Sequence, residues 1–178
     1  MPSASYLPDA SFAVAPAGTR VRLGILFSAV ISVLAGGVLV VLVLRDPHAP
    51  RAVLALAGAA PAMLAAVLWA SRIQRYRLSG EELLVELRFR TVRFPLAGLV
   101  SASIDREAMR HAWKLYGNDG LGAYSGRFRS KRLGAFRAYL TDAEQAVVLR
   151  WPDRCAVISP EQPSYFIEAV RKRASLSR

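Results

Sequence analysis

The sequence predicts an α+β protein, mostly β in its folded part. Two transmembrane helices are followed by a small antiparallel barrel of about seven strands, capped by a C-terminal helix. Three observations carry this reading. The segments 23–44 and 52–70 are uncharged apolar runs of 22 and 19 residues. From residue 73 the pattern switches to period two, the mark of half-buried strands. The chain then closes on an amphipathic helical stripe.

The arm 1–22 comes first. It is rich in Ala, Ser and Pro up to Thr19, has no periodic pattern, and reads as flexible. The run 23–44 would span about 33 Å as a helix, enough for a bilayer core of about 30 Å. Neither apolar run has the polar face that a helix in a soluble core normally keeps. A cleaved signal peptide does not fit, because the first run is too long, starts late and is followed by a second one. Between the runs lies only Arg45-Asp46-Pro47-His48-Ala49-Pro50-Arg51, a tight polar turn with two prolines. Together 23–70 reads as a transmembrane hairpin with both chain ends on one side. Gly24, Ser28, Ser32, Gly36 and Gly37 form a small-residue stripe that lets a second helix approach closely, and 52–70 is the expected partner. Pro61 falls mid-span and predicts a kink. No ionisable residue lies inside either span, which argues against an ion path.

Net charge places the rest. The chain carries +11, and the segment 71–178 holds 20 Lys/Arg against 11 Asp/Glu. A basic excess directly behind a span marks the cytoplasmic side. The expected location is therefore the inner membrane, multi-pass, with both termini cytoplasmic and residues 45–51 outside. The single cysteine, Cys155, rules out an intrachain disulfide.

The remaining elements follow in order. Residues 73–78 and 83–89 alternate and are joined by the turn Ser79-Gly80-Glu81, giving a hairpin. Residues 91–94 end at Pro95, which suits an edge strand or a strand end. A strand follows at 99–104, and 106–115 is ambiguous between helix and strand. The glycine-rich stretch 117–126 reads as a loop running into a strand. Strands are expected at 135–140, 145–150 and 154–159, separated by Thr141-Asp142 and Trp151-Pro152-Asp153. The helix starts near Pro163, with Phe166, Ile167, Val170 and Ala174 on its apolar face. A curved, nearly orthogonal barrel plugged at one end by a helix hides the sheet edges of so small a fold.

The order of these residues resembles the bacterial pleckstrin-homology-like (PH) domains. The resemblance rests on Tyr76-Arg77-Leu78-Ser79, Phe94-Pro95-Leu96, Leu115-Tyr116-Gly117 with Gly120 and Gly122, and Gly126-Arg127-Phe128. It continues through Gly134-Ala135-Phe136-Arg137-Ala138-Tyr139, Val157-Ile158-Ser159-Pro160, and Gln162-Pro163 with Phe166-Ile167. It covers most of 72–172. It implies a seven-stranded split barrel with a C-terminal helix over 71–178, and it says almost nothing about the ligand, because this fold serves many binding roles.

Catalytic chemistry finds no foothold in the sequence. His48 and His111 lack partners at metal-ligand spacing, so neither metal nor cofactor is expected. Ser125 does not sit in a G-x-S-x-G elbow, and no Gly-Lys-Ser/Thr follows the glycines. Those glycines suit positive φ and close packing. Cys155 reads as a buried structural thiol. The candidate site is the basic cluster Arg127, Arg129, Lys131, Arg132 and Arg137, interleaved with Phe128 and Phe136. Five cations in so short a stretch create a local positive field. The expected partners are anionic lipid head groups or a protein at the inner face, and no nucleic acid. The expected function is a non-enzymatic, membrane-anchored binding domain. The alternative is a structural subunit of a membrane complex, assembled through the hairpin.

Overall fold

A computed structural model describes residues 8–45 and 52–176. The expected turn at 46–51 and the first seven residues lie outside the described part. Ten strands and three helices make up the rest: β1 (Ala10–Phe12), α1 (Thr19–Arg45), α2 (Ala52–Ala70), β2 (Ile73–Ser79), β3 (Glu82–Leu87), β4 (Thr91–Pro95), β5 (Ser101–Ile104), β6 (Trp113–Asp119), β7 (Tyr124–Ser130), β8 (Gly134–Leu140), β9 (Val147–Arg150), β10 (Cys155–Ile158) and α3 (Pro163–Leu176).

The strands form two sheets, ordered β1-β2-β3-β4 and β5-β9-β10-β8-β7-β6. This corrects the expected barrel of about seven antiparallel strands in two respects. The sheets face each other without closing into a barrel, and β8 pairs with β10 in parallel, Arg137 opposite Ala156. The first sheet, α3 and one face of the second sheet enclose the main core, which includes Tyr76, Leu83, Phe94, Tyr139, Leu149 and Phe166. The other face of the second sheet buries Phe128, Phe136, Leu140 and Val157 beneath Ala108, Met109 and Leu133. The second sheet is thus apolar on both faces at its centre, which is why β9 and β10 read as continuous apolar runs instead of alternating.

The expected hairpin β2–β3 is present, and of the two readings that Pro95 allowed, edge strand or strand end, β4 is an edge strand that also ends at Pro95. Tyr76 ties the layers together from the sheet interior. Its hydroxyl donates to the Tyr139 carbonyl (2.8 Å) and accepts from the Ser159 amide (3.2 Å). Burial pushes its pKa far above the usual phenol range, so it stays neutral. The variant Tyr76→Phe removes the donor for one buried group and the acceptor for another. A loss of about 1–3 kcal/mol is expected from chemical unfolding.

The N-terminal arm departs from its expected flexibility. Ala10–Phe12 pairs antiparallel with β2, with Phe12 opposite Tyr76. Val14 bridges Pro160, the Ala15 amide donates to the Ser159 carbonyl, and the Gly18 amide donates to the Thr141 carbonyl. The Phe12 ring packs edge-on against Phe166 at 5.0 Å. A small sheet with a free edge gains both hydrogen bonds and apolar cover from such a strand.

α1, with 27 residues, is long and apolar enough to cross a membrane. Its apolar residues, among them Phe27, Val33, Leu34 and Leu44, stay exposed. α2 is shorter, 19 residues with Pro61 inside it. The two helices pack side by side and Gly36 is buried, whereas Gly37 faces open space. The helices join the domain at fixed points. Val21 in the first turn of α1 is buried, and at the end of α2 the Ser71 hydroxyl donates to the Leu121 carbonyl (2.9 Å). Trp69 meets Phe89 edge-on at 5.3 Å and lies under the Arg88 guanidinium at 4.2 Å. Aromatic and basic side chains of this kind suit a membrane–water boundary.

Candidate functional site

The basic cluster lies on β7, the following turn and β8. Alternation along β7 buries Gly126, Phe128 and Ser130 while exposing Arg127 and Arg129; Ser125, on the same face as the arginines, is buried as well. On β8 it buries Phe136 and Ala138 and exposes Arg137. Register then sets Arg127 directly opposite Arg137. Phe128 and Phe136, their interleaved neighbours, stack at 6.1 Å in the second core, and Phe136 also borders the cleft described below.

The turn separates the other two cations from this group. Arg132 reaches back to Asp105, with Nη2 and Oδ2 2.5 Å apart, and this bond holds its pKa above the usual value. Lys131 borders a different depression with Glu107, Arg110, His111 and Trp113. The structure therefore brings together Arg127 and Arg137, keeps Arg129 on the adjoining exposed position, and takes Lys131 and Arg132 elsewhere.

Arg127 and Arg137 line a cleft of about 310 Å³ between β4 and the second sheet. Two arginines that the sequence reading missed join them there, Arg93 on β4 and Arg154 before β10. The apolar lining comes from Phe94, Leu115, Ala135, Phe136 and Cys155. Arg93 is 3.6 Å from Glu82, and Arg154 is 4.0 Å from Asp153 and lies 5.1 Å over the Trp151 ring. Arg127, Arg129 and Arg137 make no ion pair among the described residues. Like charges directly across a ladder cost stability, so an anion between Arg127 and Arg137 relieves a local repulsion.

Cys155 is buried at the cleft wall, and burial pushes its thiol pKa up. That is the reverse of what a nucleophilic thiolate needs. Ser125 is buried inside β7. Of the two histidines, His48 lies outside the described residues. His111 has a positive φ of 53° in the turn before β6. Among the described residues no group of three or more His, Cys, Asp or Glu is placed to hold a metal ion.

The fold and the cleft together define a two-sheet domain with a C-terminal helix, bearing an apolar helix at its N-terminal end and a cationic groove at its side. Residues 74–174 match the family described as Bacterial PH domain. The match covers more than half of the chain, which belongs to that family. No curated protein matches the sequence.

Proposed function

We propose that the chain is a non-enzymatic binding module, anchored by a two-span hairpin in the cytoplasmic membrane, that takes an anionic partner in the arginine cleft at the inner face. The observation that carries it is the unpaired Arg127–Arg137 cross-strand couple, with Arg93 and Arg154 around the same opening. The family supports a binding role.

Chain order supports the two spans. β1 precedes α1 and β2 follows α2, yet β1 and β2 are paired. A chain that leaves the domain through a spanning α1 has to cross back to reach β2. At about 1.5 Å per residue, α2 is about 28 Å long, close to the thickness of the hydrocarbon core. The excess of Lys/Arg behind it supports a cytoplasmic domain.

The test uses the full-length protein in neutral nanodiscs, titrated with polyglutamate and, separately, with phosphatidylglycerol vesicles. Binding to at least one probe is expected, weakening as salt shortens the screening length. Reversing two charges, Arg127→Glu with Arg137→Glu, is expected to weaken that binding by about 10- to 100-fold, at roughly 1 kcal/mol per cation. Equal binding by the variant and the parent overturns the assignment.

A further inference from the structure

The end of α2 is fastened to the domain on two sides. The Arg88 amide donates to the Arg72 carbonyl (3.2 Å), which holds the 88–90 connection between β3 and β4 beside the helix exit. On the other side the Ser71 hydroxyl donates to the Leu121 carbonyl (2.9 Å). The Asn118 side-chain oxygen accepts from the Leu121 amide (3.3 Å) and closes the turn before β7. Between these two connections opens a cleft of about 520 Å³, within the range of small-ligand sites. Val67 and Ala70 of α2, Phe89 and Leu121 give it an apolar lining. It shares no residue with the arginine cleft.

The charges around this cleft are one-sided. Arg90 and Lys114 line it, and no carboxylate among the described residues does. Neither cation makes an ion pair among the described residues. The cleft at the start of α1 is the contrast. There Arg20, Arg106 and Arg110 are matched by Glu107, Asp142 and Glu144. The α2 side also leaves aromatic surface open. Phe89 is 70% and Trp69 46% exposed, although the two rings meet edge-on. An apolar wall with exposed rings and unpaired cations beside it suits the boundary between hydrocarbon and head groups.

We propose that this cleft seats one anionic phospholipid drawn from the bilayer that holds the helices. Its phosphate meets Arg90 and Lys114, and an acyl chain lies along the Val67 side of α2. A guanidinium presents a fork that matches phosphate oxygens, and an ammonium adds a point charge. The proposal rests on the two-span reading above, because a spanning α2 brings its last turn to the level of the head groups. The apolar wall decides the occupant. It continues into α2, whose 19 residues carry no charge, so the cleft is reached from that direction by lipid. A free phosphate would satisfy the two cations and leave Val67 and Phe89 uncovered.

The experiment places the full-length chain in phosphatidylcholine nanodiscs containing a minor share of phosphatidylglycerol. The protein is then released into detergent, and the lipids it retains are identified by native mass spectrometry. The parent is expected to retain phosphatidylglycerol in preference to phosphatidylcholine. Arg90→Gln with Lys114→Gln is expected to lower that preference about 10- to 30-fold, as two cations near the surface would. Both side chains are exposed, and circular dichroism checks that the variant keeps its fold. Equal preference in variant and parent overturns the inference. So does a parent that enters the nanodisc and shows no preference, which leaves the proposed function standing. A preference lost with Arg127→Glu and Arg137→Glu, and kept in the first variant, moves the lipid to the arginine cleft and overturns the inference. Displacement of the lipid by soluble glycerol phosphate assigns a free phosphate and overturns it too. A chain that does not enter the nanodisc overturns this inference and the membrane anchoring of the proposed function together.

Discussion

Substituting alanine at Gly126 is expected to lower the thermal midpoint by about 10 °C and to strip the β6 edge from the second sheet. Gly126 sits directly opposite Gly117 in the β6–β7 ladder, and both have positive φ, 142° and 117°. A Cβ on Gly126 would lie 2.9 Å from the Gly117 Cα and closer still to the Tyr116 carbonyl oxygen. The obstruction is backbone on both sides, so no side chain can turn away to relieve it. Strain at such a φ and overpacking each cost about 1–3 kcal/mol, giving about 2–6 kcal/mol for the site. At about 2–4 °C per kcal/mol for a chain of this size, a shift near 10 °C follows. Gly80→Ala is the control. Its φ of 53° is also positive, but nothing lies within 4 Å of the added carbon, so a shift of only a few degrees is expected. Thermal unfolding followed by circular dichroism in one detergent separates the two. Equal shifts would mean that φ strain alone matters and that the close approach of the strands does not.

The glycines show how far the sequence could be read. Their types announced positive φ and close packing, and the structure supplies both. What the sequence did not reveal was that 117–126 is a hairpin, because two facing glycines look like a loop when neither has a side chain to alternate. The period-two run 73–89 and the amphipathic stripe after Pro163 were legible because each element buries one face and exposes the other. β9 and β10 were legible as strands but not as to partner, since the parallel pairing of β8 with β10 depends on contacts across the fold. The site was half legible. A run of cations is plain in the sequence, yet a turn moves Arg132 to Asp105, and Arg93 and Arg154 arrive from distant strands. No local pattern carries that information.

The arm was read as flexible because three residues of strand have no periodicity to detect. Phe12 is one of two aromatic residues there, with Tyr6, and no sequence pattern set it apart. Phe12→Ala is expected to cost about 3–5 kcal/mol, the usual range for emptying a buried phenyl site. Phe12 meets both Phe166 and Tyr165, at 5.0 and 5.7 Å, so the loss opens the seam that α3 covers. A sharper test separates the strand from its covalent link. A fragment comprising 71–178 lacks β1 and leaves the β2 edge and Phe166 uncovered. Adding a synthetic peptide of residues 8–18 is expected to raise the fragment's thermal midpoint, by mass action on the folded state. The same peptide with Phe12 replaced by alanine is expected to have little effect. No shift with either peptide would mean that β1 is merely laid against the domain and contributes nothing to its stability. A shift confined to the parent peptide carries a consequence for biogenesis. The strand that completes the first sheet precedes α1 and α2, and its partner follows them. The domain then reaches full stability only when β1, on the far side of α1 and α2 in the chain, is laid against β2, so the placement of the two helices and completion of the fold are coupled events.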